Sequence, residues 1–309
     1  MTHHVVYCFD ENYEAHFGAS VTSLILNYKE PGESLCIHVI TECASIGFIE
    51  KINFLKVIFR CRIEVINPTE KSIDLLSSLT VSVNHIDYIS RATYLRILIP
   101  ILLSEDVDRV LYLDADTIVC ESISVLLDSA PVGNPVYGVS DFSEGAMMAH
   151  HGIDQYINTG VMVLDLQCFR KENHVDKLLG VARENTGVLK YSDQCVINIY
   201  FNNDINKIDD RWNQFILHDK KSKIMLGGIF HFITKNKPWH SWYDNSHGDI
   251  YWHYRRVSPW HQGEPEAPKT VEQYKYQARK FYKNGQHQRA QGIYEEILKE
   301  LVSHIDQKR

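Results

Sequence analysis

Two aspartates separated by one residue, Asp114 and Asp116, interrupt an apolar run. Residues 110–113 before them are long enough for a strand buried on both faces. Two carboxylates at the end of such a strand lose solvation and repel each other, and a bound divalent cation compensates for both effects. Because Mg²⁺ and Mn²⁺ prefer oxygen ligands and bridge phosphate oxygens, the pair indicates a metal-assisted diphosphate site.

The same acidic pair also has a purely structural interpretation. An aspartate that follows a strand can cap a helix or form an Asx turn, and short acidic pairs are common by chance. The rest of the chain must therefore distinguish a metal site from a turn.

The composition is that of a globular protein with a substantial core. Its 309 residues predict one large α/β domain plus a small appendage. Apolar residues make up 44% and charged residues 23%, which are ordinary proportions. No stretch approaches the roughly 20 apolar residues of a membrane span, and no basic segment precedes the first apolar run. We therefore expect a cytoplasmic protein.

The cysteine pattern and the net charge of the chain exclude further functional classes of protein. The seven cysteines are an odd number without C-x-x-C spacing, which indicates buried free thiols in a reducing compartment rather than disulfides or a zinc site. The net charge of −7 argues against nucleic-acid binding. Residues 255–309 carry eleven basic and seven acidic side chains, so this end is either a peripheral contact with an anionic membrane or a solvated helix face.

Short apolar segments alternate with helical patterns along most of the chain. This alternation predicts βαβ units, an α/β fold with one mostly parallel sheet, and a ligand site at the carboxyl ends of the strands. Neither G-x-G-x-x-G nor G-x-x-x-x-G-K-[ST] occurs, which disfavours a dinucleotide-binding or P-loop protein. The segments predicted to be strands are 5–9, 36–40, 63–66, 110–113, 136–139 and 160–164.

The composition changes near residue 258. Residues 258–269 contain three prolines and predict a linker between a main domain of residues 1–257 and a helical hairpin of residues 270–309. The hairpin resembles a single tetratricopeptide repeat, although an ordinary amphipathic hairpin is an alternative, and one copy cannot form a solenoid. We expect it to dock on the main domain or on a second subunit, which would make the protein a homo-oligomer.

Six separated motifs occur along the chain. The motifs are DENY from Asp10 to Tyr13, YLR from Tyr94 to Arg96, YLDADTIV from Tyr112 to Val119, YINTG from Tyr156 to Gly160, SDQ from Ser192 to Gln194, and a block from His231 to His240. In this order they resemble glycosyltransferase family 8, over roughly residues 4–245. The resemblance implies a GT-A type fold, with a single Rossmann-like sheet flanked by helices and a small helical C-terminal extension. It also implies a retaining galactosyl- or glucosyltransferase of lipopolysaccharide biosynthesis.

The resemblance implies a metal site and a donor site. Asp114, Asp116 and His231 would be the metal ligands, and a neutral imidazole favours Mn²⁺ over Mg²⁺. The donor would be UDP-galactose or UDP-glucose, and the acceptor a glycan or glycoconjugate. The residues that the resemblance assigns to UDP-sugar binding are Cys8, Asp10, Asn12, Tyr13, Arg96, Asp114, Ala115, Asp116, Asn158, Thr234 and Lys237.

The resemblance also implies the catalytic set of Asp141, Asp193, Gln194 and Lys237. Lys237 would neutralise the leaving UDP, and the other three would surround the transferred sugar. Because the amide of Gln194 is a poor nucleophile, we favour attack from the leaving-group face over a covalent intermediate on Asp141 or Asp193. The family often has glycine between the histidine and the lysine where this chain has Thr234, so the phosphate contact at that position is open.

Two other classes compete with this interpretation. In a haloacid-dehalogenase-like phosphohydrolase, Asp114 would be the nucleophile, Asp116 the general acid, and Asp209 and Asp210 later metal ligands. In that class of phosphohydrolase the aspartate motif normally lies at the start of the domain, whereas here more than a hundred residues precede Asp114. The third class is a non-catalytic sugar-nucleotide binding subunit, which the intact acidic pair, histidine and lysine disfavour.

Overall fold

The computed structural model describes residues 2–77, 79, 91–129, 133–218 and 224–306. The predicted apolar segments form strands, and several strands begin or end one to three residues beyond the predicted limits. The strands are β1 His3–Cys8, β2 Leu35–Ile40, β3 Arg62–Ile66, β4 Arg109–Leu113, β5 Thr117–Val119, β6 Val136–Ser140, β7 Ile157–Asp165, β8 Ile205–Lys207, β9 Gln214–Phe215 and β10 Ile229–His231.

Helices follow most strands, as expected for βαβ units. None of the helices in the described ranges combines the length and apolar character that crossing a membrane requires. The α-helices are α1 Glu14–Asn27, α2 Ile46–Phe59, α3 Glu70–Ser77, α4 Ile99–Leu102, α5 Ser124–Ser129, α6 Glu144–His151, α7 Leu166–Lys171, α8 His174–Glu184, α9 Ser192–Tyr200, α10 Gly248–Val257, α11 Val271–Lys283 and α12 His287–Asp306, and four 3₁₀ turns span Glu11–Tyr13, Gly32–Ser34, Arg91–Leu98 and Asp210–Asn213.

The main sheet has seven strands in the order β3-β2-β1-β4-β7-β6-β8. The pairings β1/β2, β2/β3, β1/β4 and β6/β8 are parallel, and β7 runs antiparallel to both of its neighbours. The mostly parallel α/β fold predicted from the sequence is therefore confirmed. Because β7 is reversed, its first residues, and not its last, lie beside the carboxyl end of β4, where the acidic pair begins.

The central strands of the main sheet are buried on both faces. Along β4, Val110 and Tyr112 belong to the apolar cluster on one face of the sheet, and Leu111 and Leu113 belong to the cluster on the other face. All four side chains are fully buried. Removing one such side chain to alanine typically costs about 2–5 kcal/mol, so β4 holds the acidic pair on a rigid support.

A small second sheet, ordered β5-β10-β9, lies directly after the acidic pair. Strand β10 runs antiparallel to β5, and in this register His231 is the partner of Thr117. The amide of Phe232 donates to the carbonyl of Asp116 over 3.1 Å and continues the pairing. The short sheet thus brings His231 beside Asp116 although 114 residues of chain separate them.

The predicted linker at residues 258–269 contacts the main domain through Trp260 and through the backbone of Glu266, while the side chains of residues 261–267 are exposed. Trp260 is 4% exposed, lies in the same apolar cluster as β1 and α1, and donates from Nε1 to Glu14 over 2.6 Å. A Cβ on Gly18 would lie 2.5 Å from the indole, so the glycine leaves room for Trp260. Glu266 pairs through its backbone with Trp239 and Ser241. This segment is therefore part of the folded body.

Helices α11 and α12 form an antiparallel pair whose contact surface contains the buried Ala278 and Ala290. The pair rests on the chain just after His240. Gln277 Nε2 and Lys280 Nζ donate to the hydroxyl and carbonyl of Ser241, each over 2.9 Å. The resemblance of this pair to a tetratricopeptide repeat stays a prediction.

Candidate functional site

A cavity of about 250 Å³ opens where β1, β4, β6 and the start of β7 meet the second sheet. It gathers residues from every one of the six motifs. The predicted site residues on its wall are Cys8, Asp10, Tyr13, Arg96, Asp114, Ala115, Asp116, Asp141, Asn158, Asp193, Gln194, His231, Thr234 and Lys237. Asn12 is the exception, because it is exposed and does not belong to the wall.

Three ligand atoms, from Asp114, Asp116 and His231, lie within 4.8 Å of one another. Nε2 of His231 is 3.2 Å from Oδ1 of Asp116 and 3.8 Å from Oδ2 of Asp114. Two carboxylates and one imidazole form a ligand set that suits Mn²⁺. The structure therefore brings together all three residues that the sequence predicts as metal ligands.

In each aspartate, the carboxylate oxygen that does not take part in this convergence binds a positively charged side chain. Lys237 Nζ donates a hydrogen bond to Oδ2 of Asp116 over 2.6 Å. Oδ1 of Asp114 forms an ion pair with Arg96 Nη2 at 3.1 Å and accepts a hydrogen bond from the hydroxyl of Tyr112 over 2.6 Å. This arrangement leaves one oxygen of each aspartate facing the imidazole, so the two side chains present one lone-pair atom each to the same point.

The Asp116 carboxylate has an unmatched oxygen that a cation would satisfy. Its Oδ1 is buried and has no hydrogen-bond partner, although Nε2 of His231 is 3.2 Å away. A divalent cation between the two atoms would accept a lone pair from each of them. Burial opposes ionisation, but the Lys237 ammonium holds the pKa of Asp116 below its usual range, so the group is anionic. The residues present therefore fit a divalent cation.

Gly160 keeps the space around these ligand atoms open. A Cβ at this position would overlap the imidazole of His231 and lie 2.7 Å from Oδ2 of Asp114. The amide of Asp114 also donates to the carbonyl of Gly160 over 2.7 Å, which fixes the strand end beside it. The YINTG motif thus requires glycine at its last position, because the side chains of His231 and Asp114 approach the backbone of Gly160 closely.

Asn213, which the sequence analysis did not identify, fixes the ring of His231. The Gly160 amide donates to Asn158 Oδ1, and so does Asn213 Nδ2, each over 3.0 Å. These contacts set the amide of Asn213 so that its Oδ1 faces Nδ1 of His231 at 2.9 Å. Nδ1 must therefore carry a proton, and Nε2 is the ring atom that can offer a lone pair to a metal ion. The Trp-Asn-Gln segment at 212–214 gave no charge or spacing signal by which to find Asn213.

Arg96 lies on the 3₁₀ turn Arg91–Leu98, and its guanidinium is buried rather than on a helix surface. Its Nη2 pairs with Asp114, its Nε lies 2.9 Å from Asp193 Oδ2, and its Nη1 donates to the Thr159 carbonyl over 3.0 Å. The guanidinium also stacks over Tyr112, with Cζ 4.7 Å from the ring centre. Arg96 thus connects three motifs through one planar cation.

Asp193 is a buried carboxyl group at the first turn of α9. Burial raises its pKa to about 6, even though the neighbouring Arg96 favours the charged form. Ser192 before it has a φ of 41°, a left-handed conformation that costs a non-glycine residue about 1–3 kcal/mol. The strained start of α9 aims Asp193 at Arg96 and Gln194 at the cavity.

Asp141, Asn158 and Gln194 form one hydrogen-bonded group on the cavity wall. Oδ2 of Asp141 accepts from Asn158 Nδ2 at 3.0 Å and from Gln194 Nε2 at 3.3 Å, while its Oδ1 accepts from the amide and hydroxyl of Ser143. Oε1 of Gln194 accepts from the Thr159 amide at 3.2 Å and from Asn158 at 3.3 Å. The amide of Gln194 is therefore held at both ends.

The loop from His231 to Lys237 contains a strained threonine. Thr234 has a φ of 73°, in the left-handed region that glycine adopts freely and a β-branched residue rarely adopts. The chain therefore keeps the backbone shape of a glycine at this position although it carries a side chain. The loop lets Lys237 turn back, where Nζ donates to the Phe232 carbonyl over 2.7 Å as well as to Asp116.

Asp10 and Tyr13 lie on the cavity wall at the end of β1. Asp10 Oδ1 accepts from the Asn12 amide over 3.0 Å, so the aspartate caps the first 3₁₀ turn and faces the cavity as well. Tyr13 is half-buried, with its ring edge-to-face against Trp239 at 5.8 Å. Asn12 contributes its backbone amide to this turn.

The structure does not support the phosphohydrolase alternative. Asp209 and Asp210 are exposed and are absent from the cavity wall, so they cannot complete the ligand set. Asp209 instead accepts from the Arg211 amide over 3.0 Å and caps the 3₁₀ turn Asp210–Asn213. The cavity wall also contains residues that the sequence analysis did not single out, namely Phe9, Thr93, Phe142, Thr159, Tyr191 and Ile233.

Comparisons with known proteins identify the family of the chain. The family model for glycosyl transferase family 8 matches residues 4–243. General stress protein A of Bacillus subtilis (strain 168) is 27% identical over 277 residues, which are 83% of this chain and 94% of the relative. A lipopolysaccharide 1,2-glucosyltransferase of Escherichia coli (strain K12) is 28% identical over 288 residues, covering 88% of this chain and 82% of the relative.

A solved structure shares the fold. The galactosyltransferase LgtC, in complex with donor and acceptor sugar analogs, superposes with a TM-score of 0.70 at 20% identity, covering 83% of this chain and 96% of that chain. At this identity the likeness shows the GT-A fold alone. The family match spans more than half of the chain and contains all the cavity motifs. The chain therefore belongs to glycosyltransferase family 8 and is a sugar transferase.

Proposed function

We propose that this protein is a retaining hexosyltransferase that moves galactose or glucose from a UDP-sugar to a glycan or glycoconjugate acceptor with Mn²⁺. The observation that carries the proposal is the convergence of Asp114 Oδ2, Asp116 Oδ1 and His231 Nε2, with the remaining oxygens of both aspartates held by cations of the protein. The names of the relatives, a lipopolysaccharide glucosyltransferase and a galactosyltransferase, support a hexose donor and a lipopolysaccharide-type acceptor.

The nucleotide would lie at the end of β1. Asp10 would accept from the uracil N3–H with the carboxylate oxygen that the helix cap leaves over, and Tyr13 would stack on the base. Cys8 and Ala115 would contribute backbone on either side of the nucleotide. Ala115 lies between the two metal ligands, so a nucleotide beside it would place its diphosphate against the cation.

Bound Mn²⁺ would stabilise the negative charge that develops on the leaving diphosphate. Lys237 is the residue of this chain that would share this task, because its buried ammonium already lies 2.6 Å from a metal ligand. Arg96 would keep Asp114 and Asp193 in place during the reaction through its two ion pairs. Thr234 would present its backbone amide or its hydroxyl to phosphate on the strained loop.

The hydrogen bonds around the sugar pocket support attack from the leaving-group face. A covalent intermediate needs a carboxylate with an available lone pair, but Asp141 accepts four hydrogen bonds and Asp193 pairs with Arg96. Gln194 has a neutral amide bonded at both ends. Asn158, Asp141 and Gln194 would instead exchange these bonds for bonds to sugar hydroxyls, which discriminates between epimers. The acceptor proton would pass to the donor phosphate.

A screen of UDP-sugars for Mn²⁺-dependent UDP release tests the proposal. We expect release from UDP-galactose or UDP-glucose, including slow hydrolysis without acceptor, and no turnover of a generic aryl phosphate. Lys237→Met should lower the rate by at least about tenfold through lost charge stabilisation. The matched control is Lys235→Met, since Lys235 is exposed and pairs with Glu272. UDP-sugar binding without release from any donor would contradict the enzymatic proposal and favour a non-catalytic binding subunit.

The location and the assembly of the protein stay proposals. We propose a cytoplasmic enzyme that contacts the inner face of the membrane peripherally through its basic C-terminal residues, and that self-associates through α11 and α12. Pelleting with anionic vesicles and sedimentation of the full chain measure these two properties separately.

A further inference from the structure

Three side chains with metal-binding atoms meet on one face of the main sheet, away from the cavity. His4 is the register partner of Cys36 on the adjacent strand β2, and His38 follows two residues after Cys36. Because alternate residues of a strand point to the same face, all three side chains project to one side of the sheet. Because the three residues come from two strands, they do not form a motif of the C-x-x-C type that could be recognised in the sequence.

The three side chains converge closely. One ligand atom from each lies within 4.8 Å of the others. Nδ1 of His4 is 2.9 Å from Nε2 of His38, and the two rings stack with centroids 5.2 Å apart. Cys36 and His38 are 1% and 3% exposed, whereas His4 is half-buried. The thiol and the inner imidazole are therefore held in place, and the site opens to solvent beside His4.

A carboxylate on the third strand orients the inner histidine. Glu64 of β3 is the register partner of His38, and its Oε2 lies 3.1 Å from Nδ1 of His38. A carboxylate that binds the second nitrogen of an imidazole is the usual outer partner of a metal-bound histidine. A proton on Nδ1, beside this carboxylate, would leave the lone pair of Nε2 on the side of His4 and Cys36.

We propose that His4, Cys36 and His38 bind a borderline transition-metal ion of the Zn²⁺ class, with Glu64 as the outer partner and water at the fourth position. Imidazole and thiolate ligands select this class, whereas the carboxylates of the cavity select harder ions. On binding, Cys36 would release its thiol proton to solvent, and His4 would carry its proton on Nε2 so that Nδ1 is free to coordinate. Without metal, that proton would instead lie on Nδ1, from which His4 donates to Nε2 of His38.

The proposed site is separate from the donor site. His4 precedes Cys8 by four residues on β1, which is about 13 Å at 3.3 Å per residue. The ion would tie β1 to β2 at the edge of the sheet formed by β3, β2 and β1. We infer a structural ion whose removal lowers the melting temperature.

Cobalt absorption on the full-length chain tests the proposal, because Co²⁺ replaces Zn²⁺ and a thiolate ligand gives it a charge-transfer band in the near ultraviolet. The Asp116→Asn variant removes a ligand of the cavity site and isolates the second one. We expect this variant to bind one Co²⁺ with the thiolate band, and excess Zn²⁺ to abolish the band. The same titration with Mn²⁺ in place of Zn²⁺ should leave the band unchanged.

Cysteine variants identify the ligand. Cys36→Ser should lose the thiolate band, whereas Cys61→Ser should retain it, since Cys61 is also a buried free thiol but is not one of the three residues. His4→Gln removes a half-buried ligand and should weaken Co²⁺ binding at least tenfold with an unchanged circular dichroism spectrum. The absence of a thiolate band in the unmodified chain, or a band that depends on Cys61 and not on Cys36, would overturn the proposal.

Discussion

Single atoms, rather than whole side chains, define the metal centre. Asp114 and Asp116 each divide their two oxygens between a cation of the protein and the common point in front of His231. The types and order of these residues could be predicted from the sequence. The orientation of each carboxylate could not be predicted, because it depends on contacts with Arg96 and Lys237, which lie in distant parts of the sequence.

Replacing Asn213 with alanine should loosen His231 without removing a ligand. The ring loses the acceptor that holds its proton on Nδ1, and outer partners of this kind contribute about 10–100-fold to metal affinity. Calorimetry with Mn²⁺ and UDP measures the loss, and Asn203→Ala at an exposed position is the control. Equal Mn²⁺ affinity in the two variants would show that Asn213 does not position the ligand.

The buried carboxyl of Asp193 should make stability depend on pH. Its pKa is raised from 3.8 to about 6, so the folded state holds the proton more tightly than the unfolded state. Relative to Asp193→Asn, the wild-type chain should therefore lose up to about 3 kcal/mol of unfolding free energy as pH rises from 4 to 7. Urea unfolding at several pH values measures this. Asp209→Asn at an exposed site should show no such trend, and a difference that is flat with pH for Asp193→Asn would refute the assignment.

Hydrophobic patterns in the sequence predict the positions of the strands that carry the site, but they do not predict the direction of every strand. Strand β4 and the strands around it could be recognised from their apolar runs. The reversal of β7 could not, since the apolar pattern of a fully buried strand is the same in both directions. Its second and third residues, Asn158 and Thr159, are polar and interrupt the apolar run near its start. The reversal is nevertheless what places Asn158 and Gly160 beside Asp114.

The loop after β10 offers a test of backbone strain. Thr234→Gly should raise the unfolding free energy by up to about 1 kcal/mol, because relief of the left-handed conformation exceeds the entropy that glycine adds to the unfolded chain. Thr234→Ala keeps a Cβ and removes the hydroxyl, so it should change stability much less. Chemical denaturation measures both variants. Greater stabilisation by alanine than by glycine would show that the hydroxyl, and not the backbone, is the source of strain.

At the scale of the whole molecule, the predicted linker at residues 258–269 is attached to the main domain. Residues 261–267 are exposed, whereas Trp260 belongs to the core. One aromatic residue in a polar segment gives no periodic signal, so its burial could not be predicted. The two helices beyond residue 269 have amphipathic patterns that did predict them.

Truncation after Lys269 should separate donor chemistry from the role of α11 and α12. The shortened chain keeps Trp260 and every residue of the cavity wall, and loses the contacts of α11 with Ser241. We expect Mn²⁺-dependent UDP binding to persist within about threefold, while transfer to a large acceptor, self-association or both are lost. Truncation after Ser258 should instead unfold the protein. Loss of UDP binding in a folded Lys269 truncate would place α11 and α12 at the nucleotide.

The coupling between UDP and Mn²⁺ tests the central claim most directly. If Asp114, Asp116 and His231 present one lone-pair atom each to a shared cation, the metal binds firmly only when diphosphate oxygens complete its shell. Calorimetry should therefore show UDP affinity that rises at least about tenfold with Mn²⁺, falls with chelator, and loses its metal dependence in Asp116→Asn but not in Asp209→Asn. UDP affinity that is the same with Mn²⁺, with chelator and in Asp116→Asn would contradict the account.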